Sequence, residues 1–160
     1  MKQARTYLLA LTIGVIAVIS MTGTAFAEEQ RGSNADAKQM VEQAIEHIKD
    51  VGTAKAFEDF STPGGKWHNK DIYLFCYKMD GTNVCHGANK ALIGKNLIDL
   101  KTADGQFLIK NLADIAKTKG SGWIDYQWPH PLTKKTESKR AYVLKIPGYD
   151  GLVGAGCYPR

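Results

Sequence analysis

The chain has 160 residues, 44% of them apolar, with 21 basic and 16 acidic side chains for a net charge of +5. That is enough apolar material for one domain with a core of its own. The charge is mild and no basic run is interleaved with aromatics, which argues against nucleic acid as a partner.

Lys2 and Arg5 precede the apolar run 7–21 and the small-residue stretch Thr24-Ala25-Phe26-Ala27, the order of a cleavable export signal over residues 1–27. An uncleaved anchor is the competing reading, because residues 6–27 carry no charge and could span a bilayer core of about 30 Å. The short apolar centre and the Ala-x-Ala site favour cleavage. Cleavage leaves 133 residues, with 19 basic against 16 acidic side chains, in the periplasm or the medium and free of the membrane. Residues 28–34 are polar and predict a mobile lead-in to a single domain over 35–160.

Ala37, Met40, Val41, Ala44, Ile45 and Ile48 recur at spacings of three and four, which predicts a helix capped at Ser33 or Asn34 and stopped by Gly52. Thr53 is placed to cap a second, short helix that buries Ala54, Phe57 and Phe60. After the breaker Ser61-Thr62-Pro63-Gly64-Gly65, two branched and aromatic runs, 71–78 and 83–86, flank Asp80-Gly81, a strong two-residue hairpin signal. The register that turn implies sets Lys78 opposite Asn83, Tyr77 opposite Val84 and Cys76 opposite Cys85. Non-hydrogen-bonded cross-strand partners have Cα atoms about 4.5 Å apart, which a disulfide can span. The expectation is therefore a Cys76–Cys85 bridge in an oxidising compartment, with Cys157 a buried free thiol.

Residues 87–104 read as a packed loop and 107–120 as a short helix ended by Gly120. Three strands follow, at 122–128, 140–146 and 152–158, separated by Pro- and Gly-rich turns. Two helices, two strands, a loop with a helix and three strands predict an α+β fold: a five-stranded antiparallel sheet with a long N-terminal helix on one face.

Several of these segments, in this order, resemble the small single Cache domains, extracytoplasmic PAS-like ligand sensors. They are Asp71-Ile-Tyr-Leu-Phe-Cys-Tyr-Lys-Met-Asp-Gly81, His86-Gly-Ala-Asn89, Leu92-Ile-Gly-Lys-Asn-Leu-Ile-Asp-Leu100, Asp104-Gly105, Lys119-Gly-Ser-Gly-Trp-Ile-Asp-Tyr-Gln-Trp-Pro129 and Lys139-Arg-Ala-Tyr-Val143. The resemblance implies a sheet backed by the first helix, with a pocket on the other face for a small organic acid or similar metabolite. Most members of that family continue into a membrane helix and a signalling module; departing from them, this chain is expected to act as a freestanding exported sensor that reports to a signalling or transport partner protein. The exposed side of the first helix offers a surface for a homodimer.

Strand alternation puts Ile124, Tyr126 and Trp128 on one face and Trp123, Asp125 and Gln127 on the other. Aromatic walls with polar tips suit a small-ligand pocket, although core packing explains aromatics equally well. The resemblance turns Trp123, Tyr126 and Trp128 toward pocket roles. His86 shares a face with Val84 and, across the hairpin, with Phe75 and Tyr77, so its imidazole needs either backbone partners or a carboxylate ligand. A histidine at this position and a base at that of Lys139 are what carboxylate-binding relatives carry. Lys139 otherwise reads as part of a solvated turn with Lys134, Lys135 and Arg140. The expected binding set is Tyr77, His86, Trp123, Tyr126, Trp128 and Lys139.

Rival classes have less behind them. Thr82-Asn83-Val84-Cys85-His86 is one cysteine short of a haem-attachment motif, and Cys85 has a better partner in Cys76. A ligand-free interaction module is the remaining alternative. Cys85 and His86 point to opposite faces of a strand and cannot converge on a metal, and His47, His68 and His130 are scattered. No nucleophile elbow, phosphate loop or His-Glu-x-x-His helix is present, so neither catalysis nor a cofactor is expected.

Overall fold

The computed structural model describes residues 31–159. The proposed signal segment, residues 1–27, lies outside them. Helix α1, Asn34–Val51, begins at a capping box in which the Ser33 hydroxyl accepts from the Asp36 amide and the Asp36 carboxylate accepts from the Ser33 amide. The expected apolar stripe, Ala37 to Ile48, is its buried side. Gly52, with φ of +80°, closes α1 and opens α2, Thr53–Phe60. Thr53 is thus the first residue of that helix rather than its cap, because the left-handed backbone that a sharp helix-to-helix corner needs suits glycine.

The loose lead-in expected through residue 34 is corrected at its end. Arg31 pairs with Glu137 at 2.7 Å and donates to the Tyr158 carbonyl, and the Gly32 amide donates to Asp71 at 2.6 Å. Charged hydrogen bonds to strand ends fasten this segment before the helix begins.

The strands are β1 His68–Asn69, β2 Ile72–Lys78, β3 Asn83–His86, β4 Ser121–Pro129, β5 Thr136–Lys145 and β6 Gly151–Cys157. They form one antiparallel sheet in the order β1-β2-β6-β5-β4, with β3 also on β2. Five were expected, and the sixth, β1, is a two-residue pairing with Ile72 and Tyr73 too short for periodicity to reveal. Helix α3, Leu108–Lys119, ends at Gly120 and packs on the opposite face from α1 and α2. The sheet therefore separates two cores. Ile72, Leu74 and Cys76 of β2 face α1, while Tyr73, Phe75 and Tyr77 face α3.

Cys76 and Cys85 are direct partners joined by a disulfide, with Cα atoms 4.8 Å apart. The rest of the expected hairpin register is corrected. Tyr77 pairs with Asn83, not Val84, across a bulge, and Val84 packs toward α1 instead of sharing the face of His86. The loop after β3 causes this: the Asn83 amide donates to Lys95, its carbonyl accepts from Gly94, and a side chain at Gly81 would meet Ile98 at 2.6 Å. Among the described residues no helix is long and apolar enough to cross a membrane.

Candidate functional site

On the α3 side the sheet does not close completely. Tyr73, Phe75 and Tyr77 of β2, Tyr126 and Trp128 of β4, and Leu108, Ile109 and Leu112 of α3 surround a closed end of about 10 Å³. It shares Tyr73, His86 and Trp128 with a wider, more polar cavity of about 270 Å³ bounded by Ala88, Asn89, Leu92 and the turn around His130. An aromatic hollow leading to a polar mouth is the usual form of a small-ligand site.

His86 stands where the two parts meet. Its Nδ1 accepts from the Ala88 and Asn89 amides at 3.3 and 3.0 Å, so the ring proton resides on Nε2. No described residue accepts that proton. Burial, and secondarily the positive charge of Lys139, pushes the imidazole pKa down to about 3, which keeps the ring neutral. Both readings of His86 thus hold a part of the answer: one nitrogen is tied to backbone and the other is left over.

Lys139 is not in a solvated turn. It lies within β5 opposite Tyr126 and is fully buried, because Lys139, Ala141 and Val143 share the inward phase of the strand. Its ammonium sits 3.6 Å from the Tyr73 ring centre and 5.0 Å from that of Tyr158, with no hydrogen-bond acceptor. Burial lowers its pKa to about 7, against the opposing pull of Asp71. Tyr73 is a wall of both cavity parts, so the cation is one ring removed from them.

Tyr77, Tyr126 and Trp128 are brought together with His86 as expected. Burial raises the Tyr77 phenol to about 12 and holds that of Tyr126 well above its ordinary value. Of the remaining two, Lys139 stays behind the Tyr73 ring and Trp123 lies away from the cavity altogether. Trp123 packs on Tyr142 at 5.1 Å beneath Arg140, on the α1 side of the sheet, and cannot reach the cavity. Strand alternation already put it opposite Tyr126, and that periodicity prevails over the aromatic character that suggested a pocket role.

A profile of the Single Cache domain 2 family matches residues 1–160. The chain belongs to the single Cache domains. Over 91 residues, 57% of its length, this Cache domain is 34% identical to the sensor histidine kinase MctS of Rhizobium johnstonii. Over the same length it is 22% identical to the methyl-accepting chemotaxis protein McpP of Pseudomonas putida. It aligns with only 20% and 17% of those two receptors, one segment of each. Among solved structures, a methyl-accepting chemotaxis protein of Vibrio parahaemolyticus superposes with a TM-score of 0.65 at 25% identity, covering 78% of this chain and 86% of that one. A Cache chemosensory domain described for carboxylic acid recognition superposes with a TM-score of 0.68 at 18% identity, covering 85% and 96%, a likeness of fold.

Four residues in or beside the candidate site were given no role by the sequence. Tyr73 and Phe75 belong to a β2 run buried at every position but its last, so periodicity alone set no pocket side; the hairpin register put Phe75 beside His86 without giving it a binding role. Asp71 is fully buried and accepts from the Gly32 and Tyr158 amides. His130 repeats the arrangement of His86: its Nδ1 accepts from the Leu132 and Thr133 amides, and its buried Nε2 has no partner, 3.8 Å from Asp71. Burial lowers its pKa as well. The signal available for His130 was its place in the turn Pro129-His130-Pro131, where a side-chain acceptor can hold the amides two and three residues on.

Proposed function

We propose that this Cache domain senses a short monocarboxylate outside the cytoplasm and reports its occupancy to a signalling or transport partner protein. One observation carries the reading: an Nε2–H of His86 without an acceptor among the described residues stands at the aromatic hollow, and the unpaired ammonium of Lys139 is buried one ring behind it, against Tyr73. A buried donor left unpaired is unfavourable, and an entering carboxylate would take a charge-assisted bond from the imidazole directly and one from the ammonium once the Tyr73 ring gives way. The two cavity parts together have room for a few heavy atoms, and the apolar closed end suits the tip of a hydrocarbon tail. The Cys76–Cys85 disulfide and the export-like leader agree with an oxidising compartment. The sensory receptors it resembles, and the carboxylic acid named for one structural neighbour, point the same way.

A thermal-shift screen of the purified protein against short acids and amines tests this. A ligand at a hundred times its dissociation constant adds about 2.7 kcal/mol to stability, so short carboxylates should raise the melting temperature while amines leave it unchanged. His86→Asn keeps an acceptor for the Ala88 and Asn89 amides but deletes the Nε2 donor. A hydrogen bond to a charged group contributes about 1.5–3 kcal/mol, so the variant should fold and bind about 10- to 100-fold more weakly. Stabilisation by amines and none by acids would refute the proposal.

A further inference from the structure

β6 carries three glycines, two of which, Gly154 and Gly156, lie inside a fully buried strand, where glycine is ordinarily unfavourable. Gly154 pairs with Phe75 on one side and Val143 on the other. A Cβ at Gly154 would lie 2.5 Å from Cε2 and Cζ of Phe75 and 2.9 Å from Cγ1 of Val143. The Phe75 ring therefore rests on the bare backbone of β6. Displaced by an added Cβ, that ring has the closed end of the cavity to move into, which it lines and which has room for about one methyl-sized group. Phe75 is also the cross-strand partner of His86, so the tail-limiting ring and the head-binding imidazole are held one strand apart.

We propose that Gly154 sets the chain length this domain accepts: by letting Phe75 lie flat on β6, it keeps the closed end open to one methyl-sized group and shut to more. The ligands are then carboxylates of two or three carbons. This rests on the carboxylate-sensing reading above. A purely structural glycine, covered by an aromatic neighbour, would behave differently: substitution would weaken all acids by one common factor.

Calorimetric titration of acetate, propionate and butyrate into the wild type, Gly154→Ala and Gly154→Ala/Phe75→Leu separates these cases. A single methylene in a well-fitted apolar pocket shifts binding by about 10- to 200-fold. The wild type should bind butyrate at least about tenfold more weakly than propionate. Gly154→Ala should lower the propionate-to-acetate affinity ratio at least about tenfold, and the added Phe75→Leu should restore it and admit butyrate. If Gly154→Ala does not fold, Phe75→Leu alone must raise butyrate relative to acetate. A wild type that binds none of the acids overturns both proposals. Binding by the wild type with acid ratios unchanged in the variants overturns this one alone.

Discussion

Lys139 is the residue on which the chemistry turns. A desolvated ammonium over an aromatic face gains about 2 kcal/mol from the ring, less than the several kcal/mol that burying the ion costs. Asp71 does not make up the difference by direct contact, since its oxygens already accept from the Gly32 and Tyr158 amides. The consequence is a pKa lowered from 10.5 to about 7. Between those values the unfolded chain holds a proton that the folded one lacks, so stability rises with pH across this window, and Lys139→Met removes that rise. Ligand binding runs the other way, because a carboxylate needs the charged form. The neighbours do not compete for this window: His86 and His130 are shifted down, Tyr73, Tyr126 and Tyr158 up, and the Cys157 thiol is raised. Affinity measured calorimetrically should be nearly constant below pH 7 and fall on the order of 20-fold from pH 6.5 to 8.5. In Lys139→Met it should be weak and flat. A wild-type affinity independent of pH would show that the ammonium plays no part. Lys139 was half legible in the sequence: the resemblance singled it out, but the strand expected over 140–146 stopped one residue short of it and the basic cluster suggested a solvated turn.

At the scale of elements, the β2–β3 hairpin fixes the position of His86. The disulfide ties Cys85 to Cys76 one residue before the histidine, the Ser61 hydroxyl accepts from the His86 amide, and the Asn83 side chain bonds the carbonyls of both cysteines. Closing a loop this short removes chain entropy equivalent to about 2–3 kcal/mol from the unfolded state. Cys76→Ser/Cys85→Ser should therefore lower the melting temperature on the order of 10 °C. It should also weaken acid binding more than the fall in folded fraction accounts for, because His86 loses its tether. A melting temperature unchanged from the wild type would contradict this. The Asp-Gly turn and the cysteine spacing made the bridge legible. The bulge beside it was not, since it depends on residues 94–98 docking on the far edge of β3, a contact that local turn chemistry does not register.

For the whole molecule, the decisive feature is a sheet with two unlike faces. The α1 side is a dry core of aliphatic and aromatic side chains that the three-and-four spacing of the first helix made plain. The α3 side combines a similar apolar belt with buried polar groups, and here the sequence was informative about types of residue but not about which would meet. Tyr77, His86, Tyr126 and Trp128 converge because β4 reaches the β2–β3 hairpin only through β5 and β6, and the β2–β6 pairing joins segments far apart in the chain. Nothing short-range encodes such pairings, so it took the family resemblance to bring these residues together in advance. The most direct test is a crystal structure of the protein with acetate or propionate. The account predicts the carboxylate within hydrogen-bonding distance of His86 Nε2 and Lys139 Nζ, its tail directed at Phe75. A carboxylate bound elsewhere, with both donors still unpaired, would contradict it.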